Sequence, residues 1–319
     1  MGNLTYFWPS FFVLQGVPGL EVYHMWFSGL VCTCYGVIIA GNCMVLLVIV
    51  LKPALHKPMY YFLCMLSMTE LITSTSTLPK MLSIFWFQAG EIQVDSCLAQ
   101  MFFIHASGMV GSAVLLAMAV DRYVAICFPL RYNSFFTGSL AAKMGVAAVV
   151  RATLLMCPCP FLIKRLTFCR TNVIHHTYCE HMAVVRLACG DTRINSVYGL
   201  SAALVVIGGD LLGIGLSYFF IVRAVLRLSS NEEHLRALNT CISLICAVLT
   251  FYMPMIGLSM IHCYGENAPL VVHILMAKVY LLALPPPLMN PVVYSIKAKP
   301  IRMKISKVLL RRKDSVRDI

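Results

Sequence analysis

The stretch 118-MAVDRYVAIC-127 sets an acid, a base and an aromatic residue side by side in an otherwise apolar run. Charges at Asp121 and Arg122 are costly in such surroundings unless a partner or an interface lies within reach. Composition identifies the solvent. The 319-residue chain is 60% hydrophobic and only 12% charged, whereas an ordinary soluble domain is about a quarter charged. Most of this chain therefore belongs in a bilayer.

A helix needs about 20 mostly apolar residues to cross the hydrocarbon core, because its backbone polar groups must be satisfied within the segment. Working outward from the charged pair, seven such runs are found, over residues 26–51, 58–86, 97–127, 141–163, 196–227, 238–262 and 270–295. The predicted architecture is an all-α integral membrane protein, a seven-transmembrane helix bundle over 26–295. It is preceded by an N-terminal segment, 1–25, and followed by a tail, 296–319. The first run starts too far in, and is too long, for a cleaved signal peptide, and no basic stretch precedes it.

Orientation follows from Lys and Arg in the short connections. The first connection carries Lys52 and Lys57, the third Arg122 and Arg131, and the fifth Arg223, Arg227 and Arg236. The second instead offers Glu91 and Asp95, and the sixth Glu266. The odd connections are thus cytoplasmic and the N-terminus extracellular. Asn3-Leu4-Thr5 is then an N-glycosylation sequon on the side where it can be used, and Trp26 and Trp86 fall at outer span ends, where indoles favour the interface. The long fourth connection is also basic, with Lys164, Arg165, Arg170, Arg186 and Arg193, but long loops translocate largely regardless of charge.

The net charge of +12 therefore calls for no nucleic acid. Much of it sits in the inner connections and in the tail Lys297 to Arg317, where Ile301, Ile305, Val308 and Leu309 recur at helical spacing. That pattern predicts a short amphipathic helix on the anionic lipid of the inner leaflet. Asp121, Arg122 and Tyr123 come out at the cytoplasmic end of the third span. A snorkelling arginine would account for Arg122 alone, but not for the motifs around it.

Those motifs are Gly41-Asn42 in span one, LHKPMY from 55 to 60, MAVDRYVAICFPLRY from 118 to 132, Ser217-Tyr218 in span five, RALNTC from 236 to 241 and PPLMNPVVYSIK from 286 to 297. Together, and in this order, they resemble the rhodopsin-like G-protein-coupled receptors, and within them the odorant receptors. CLAQMFFIHA in span three and YCEHMAVVRLAC in the long outer loop are similar to the class I, fish-like subgroup. The fit covers essentially the whole chain.

The resemblance implies a receptor in the plasma membrane that binds a small, mostly apolar volatile or fatty-acid-like ligand and activates a stimulatory heterotrimeric G protein, raising cyclic AMP. It implies no enzyme activity and no cofactor. The pocket it implies is lined by Ile104, His105, Gly108 and Met109 of span three, Gly199 and Ala203 of span five, and Tyr252 and Ser259 of span six, with the outer loop as lid. It also implies a switch in which Arg122, held by Asp121 and flanked by Tyr123, is released toward the G protein near Tyr218 and Tyr294. Asn290-Pro291 and Pro254 would supply irregular helix.

Glu70, deep in span two, is an intramembrane acid and by default functional. The resemblance groups it with Asn42 and Asn290, a sodium site in many relatives, where the acid is usually the shorter Asp. A protonated, hydrogen-bonded Glu is the plain alternative.

Of the 14 cysteines, Cys97, Cys169, Cys179 and Cys189 lie on the oxidising side, and four cysteines allow three pairings that spacing cannot decide. The resemblance implies Cys97 with Cys179 and Cys169 with Cys189, and leaves Cys263 unpaired. Metal ligation by Cys179 and His181 with His175 or His176 is chemically conceivable, but an oxidising compartment favours disulfides. A transporter or channel is the rival reading, since intramembrane acids and broken helices mark those as well. Against it stand an odd number of spans and no internal repeat.

One departure bears on the ligand. Several class I relatives that respond to carboxylic acids carry an Arg after a His near the outer end of span six, where this chain has His262-Cys263. A thiol cannot replace a bidentate guanidinium, so alcohols, aldehydes and ketones stand beside fatty acids as ligand classes. Leu244 and Arg236 are two lesser departures, at positions where relatives usually have His and Lys.

Overall fold

The structure, a computed structural model, describes residues 8–16, 21–169, 171–226, 241–242, 244–253 and 256. A short strand, β1 (Phe11–Leu14), precedes the long helix α1 (His24–Val50). After the Pro53–Leu55 turn comes α2 (Pro58–Phe87), then β2 (Glu91–Gln93) and α3 (Val94–Cys127). The one-turn α4 (Tyr132–Phe135) leads into α5 (Gly138–Met156) and α6 (Pro158–Lys164). The outer loop then holds β3 (Val173–Ile174) and α7 (His181–Val185), followed by α8 (Arg193–Ala203), a π-helical turn Leu204–Gly208 and α9 (Gly209–Val225).

Four helical runs among the described residues are long and apolar enough to cross a membrane: His24–Val50, Val94–Cys127, Gly138–Lys164 and Arg193–Val225. α2 has the length, 30 residues, but its middle is diluted by Glu70 and a run of hydroxyl residues from Thr69 to Thr77. The hydroxyls spend themselves on the helix's own carbonyls, Thr73 on Thr69 and Ser74 on Glu70, so the segment remains compatible with an apolar environment. Of span six, the Leu244–Met253 helix is described. Span seven, the amphipathic tail, Pro254, Ser259, Cys263, Asn290, Pro291, Tyr294 and the Asn3 sequon lie outside the described residues.

Local chemistry sets the ends. Pro58 occupies the first turn of α2, where its missing N–H costs nothing. Thr137 caps α5 by accepting from the Leu140 N–H at 3.2 Å. Cys157, between Met156 and Pro158, divides the predicted fourth span into α5 and α6, because the proline cannot continue the hydrogen-bond ladder. With 34 residues, α3 is about 50 Å long at 1.5 Å per residue, against a hydrocarbon core of about 30 Å. Its last turns, with Asp121 and Arg122, can therefore reach the inner interface.

α2 and α3 form the centre, with α1 against α2 and with α5 and α9 against α3. Gly145 on α5 lies hard against Met65 of α2, and a Cβ at Gly213 of α9 would meet Leu116 of α3 at 2.6 Å. Small residues at crossings are how helices approach where lipid offers no hydrophobic drive. An inner cluster packs Leu63, Leu66, Val114, Met118, Ala152, Ile214 and Phe251. Val149, Leu154, Leu212, Leu216 and Phe219 point outward and stay exposed, as lipid-facing side chains should.

The outer face carries a feature that helical periodicity does not announce. β1 pairs antiparallel with β2 and parallel with β3, giving a three-stranded sheet in the order β2-β1-β3. The segment before span one is thus woven between the first and second outer loops, with Phe12 and Leu14 fully buried. Phe12 and Trp8 both meet the Phe168 ring edge-on. Two disulfides, Cys97–Cys179 and Cys169–Cys189, close beneath this sheet in the pairing the resemblance implies. The first fastens the loop to the top of α3, and Gln100 reinforces it by accepting from the Cys179 N–H at 2.8 Å.

Because Cys97–Cys179 spans 82 residues, Cys97→Ser should cost about 2 to 5 kcal/mol and hold the protein inside the cell. Staining of intact cells checks this; wild-type surface display would contradict the pinning role.

Candidate functional site

Three polar layers cross the bundle. At the inner end, Arg122 donates to Asp121 Oδ2 from Nη2 at 2.6 Å and from Nε at 3.1 Å, while the Tyr132 hydroxyl donates to Asp121 Oδ1 at 2.7 Å. Asp121 is wholly buried, and the Arg122 side chain is 18% exposed. Burial and the neighbouring carboxylate push the Tyr132 phenol above its ordinary pKa, which keeps it a neutral donor. Arg122 also touches the Met59 sulfur of the LHKPMY motif. Tyr123 packs its ring against Phe128 and Phe220, and Tyr218 donates to the Cys241 carbonyl at 3.4 Å, tying α9 to span six. Tyr132 was not among the residues singled out from the sequence, although it closes the same motif run.

The middle layer holds an ion pair that sequence reasoning missed. Arg151 of α5 grips Asp210 of α9 with two bonds, Nη1 to Oδ1 at 2.8 Å and Nη2 to Oδ2 at 2.7 Å. Ser112 of α3 donates to Asp210 Oδ2 at 2.5 Å and pairs with the Tyr252 hydroxyl at 2.6 Å. Three spans thus meet at one carboxylate that is 2% exposed, and span six joins them through Ser112. The rule that singled out Glu70, a charge inside a span, applies equally to Arg151 and Asp210, so the signal was available. The π-helical turn just before Asp210 adds a residue to the helix and sets the direction in which it points. Tyr252, expected in the pocket wall, is spent on Ser112 and is 2% exposed, so it lies at the floor. Nearby, Glu70 and Asn42 are buried at 4% and 0% exposure on the adjacent helices α2 and α1, and Asn42 donates to the Ile38 carbonyl.

The outer layer gathers the remaining residues expected to face a ligand. His105 and Gly108 stand one turn apart on α3, and no described atom lies within 4 Å of a Cβ added at Gly108. Gly199 of α8 faces the lid, since a Cβ there would meet the His181 ring at 3.0 and 3.1 Å. Ile104 is buried and Met109 borders the inner cluster, its carbonyl 3.5 Å from Arg151 Nη2. Ala203 ends α8 beside the π-helical turn. Glu180 caps α7 by accepting from the Ala183 N–H at 2.7 Å, and that cap orients His181. Cys179 is committed to its disulfide, so the conceivable Cys179–His181 metal site has no thiolate to offer. Among the described residues, no group of three His, Cys, Asp or Glu is placed to hold a metal ion.

A helical membrane bundle with a disulfide-pinned outer lid and an acid-arginine clamp at its inner end is the arrangement of a rhodopsin-like receptor. The family model described as "Olfactory receptor" matches residues 31–312. The chain is 57% identical over 300 residues to human olfactory receptor 52P1, covering 94% of this chain and 93% of that protein. It is 51% identical to human olfactory receptor 52K2 over 97% of this chain and 98% of that one. With rat olfactory receptor 51E2 the identity is 50%, over 92% and 91%. The chain belongs to the olfactory receptor family, a family of multi-pass plasma-membrane G-protein-coupled receptors and not of enzymes.

Two outcomes are expected here. Asp210 is buried while the Arg151 side chain is 35% exposed, so Arg151→Met, which strands the buried carboxylate, should lower stability by about 3 to 5 kcal/mol, Asp210→Leu by less, and the double variant by less than Arg151→Met alone. Melting curves of the purified receptor check this; additive losses would exclude the coupling. Burial, helped by repulsion from His105 and opposed by Glu180, holds the His181 pKa below its usual value. The unfolded chain therefore takes up a proton first as pH falls below about 6.5, and the stability contributed by neutral His181 is full above that pH and lost beneath it. Melting temperature should fall on acidification, and less steeply in His181→Phe.

Proposed function

We propose that this chain is an odorant receptor of the seven-helix type, which takes a small, mostly apolar ligand in its outer half and activates a stimulatory heterotrimeric G protein. Spans six and seven and the tail helix complete the bundle on this reading, with Asn290, Pro291 and Tyr294 in the inner switch and Ser259 in the pocket wall. The observation that carries it is the Ser112 junction. Its hydroxyl bonds both Tyr252 of span six and Asp210 of α9, directly below the outer residues His105 and Gly108. A ligand seated above that junction can bias how span six packs on α3, and so whether Arg122 stays with Asp121. Two discrete arrangements of one packed element are what a switch requires.

The cytoplasmic side offers a matching surface. Leu130 is 99% exposed between Arg122 and α4, with Phe128 and Phe135 about half exposed beside it. An apolar side chain so fully presented to water, rimmed by Arg131, suits insertion into a partner.

Arg122→Ala should abolish nucleotide exchange on the G protein while leaving surface level and ligand binding near wild type. A full signal from that variant would remove Arg122 from the switch. Leu130→Asp should weaken coupling in the same assay, again without loss of ligand binding.

A further inference from the structure

Three buried nitrogens in the outer layer have no hydrogen-bond partner among the described residues: Nε2 of His105, Nε2 of His181 and Nδ2 of Asn195. Each comes from a different element, α3, the lid helix α7 and α8. His181 is 6% exposed and Asn195 3%. Unsatisfied polar groups this deep each cost about 1 to 3 kcal/mol, and native structures hold few of them without a purpose.

The three positions converge. Asn195 and Gly199 are four residues apart on α8 and so share a face, and Gly199 packs against the His181 ring. His105 and His181 lie close enough for their charges to act on one another. His105 in turn shares its face of α3 with Gly108, where no described atom fills the space of an added Cβ.

Resting on the odorant-receptor reading of the outer pocket, we propose that His105, His181 and Asn195 form a neutral polar subsite for the hydroxyl of an aliphatic alcohol, and that it selects against the matching carboxylate. A hydroxyl both donates and accepts. It can accept from the Asn195 amide and from one imidazole N–H while donating to the bare nitrogen of the other ring. A carboxylate is acceptor-only and brings a full charge, which must be desolvated against a cation to be held. Among the described residues no unengaged cation borders these three nitrogens. The carboxylate among the described residues that acts on both rings is that of buried Glu180, whose sign disfavours an anion. The guanidinium of Arg151, one layer down, already spends both terminal nitrogens on Asp210.

The test uses the full-length receptor in nanodiscs, with medium-chain 1-alcohols and their matching carboxylates as probes and thermal stabilisation as the binding readout. Alcohols should stabilise the receptor at lower concentration than the acids. Asn195→Leu, His105→Phe and His181→Phe should each weaken the alcohol at least about tenfold, the effect of losing one hydrogen bond to a buried group. Asn195→Ser and His181→Asn, which keep a polar group in place and guard against simple misfolding, should recover part of that loss. The proposal is overturned if the acids bind as tightly as the alcohols, if no alcohol of the series stabilises the receptor, or if the apolar replacements leave alcohol affinity unchanged. An alcohol that binds through these residues yet drives no nucleotide exchange supports the subsite and counts against the receptor reading instead.

Discussion

A polar group inside a bilayer has no water to fall back on, and the described spans of this molecule answer to that constraint. Hydroxyls on α2 return to their own helix, Arg151 finds Asp210, and Arg122 finds Asp121 where α3 emerges at the inner interface. The same scarcity gives these contacts their consequence. With few partners available, a polar group that lets go of one must take another, so the proposed switch would pass between discrete arrangements and not by degrees. The Ser112 junction matters most in this respect, because the Asp210 carboxylate joins α3, α5 and α9 and the Ser112 hydroxyl adds span six through Tyr252.

The outer face solves a different problem. Outer loops that face water hold their shape here through covalent and backbone bonds, which is what the proposed ligand pocket requires of its lid. Cys97–Cys179 fixes the loop to α3, Cys169–Cys189 closes the loop on itself, and β1 stitches the segment before span one between two loops. Rigidity there is what lets His181 and Asn195 be held in place although a ring or amide nitrogen of each has no partner among the described residues. The inner face is the reverse, with Leu130 offered to the cytoplasm and Tyr132 closing over Asp121.

Much of this could be read from sequence because membrane chemistry leaves coarse marks. Apolar run length gave the first five spans to within a few residues of the helices seen, Pro158 apart, since a break of one residue does not interrupt an apolar run. Asp121 and Arg122 stood out as charges in such a run. Arg151 and Asp210 carried the same mark as Glu70, a charge inside a span, but that they pair at 2.7 Å is revealed only by the packing of α5 on the bundle. Tyr252 was placed with the ligand, yet its hydroxyl is taken by Ser112. The outer sheet escaped notice because strands of two to four residues carry no usable periodicity. Asn195 likewise gave no sign, since a lone Asn at a span end is ordinary until its neighbours are known.

On the receptor reading proposed above, occupancy of the outer pocket changes the inner face. Nucleotide exchange on a heterotrimeric G protein, measured with the purified receptor in nanodiscs and a panel of small volatile alcohols, acids, aldehydes and ketones, tests it most directly. At least one compound that binds the receptor should accelerate exchange in a saturable manner. A compound that binds and is carried across sealed vesicles by the protein, while exchange stays at its basal rate, would contradict that reading and make the chain a transporter.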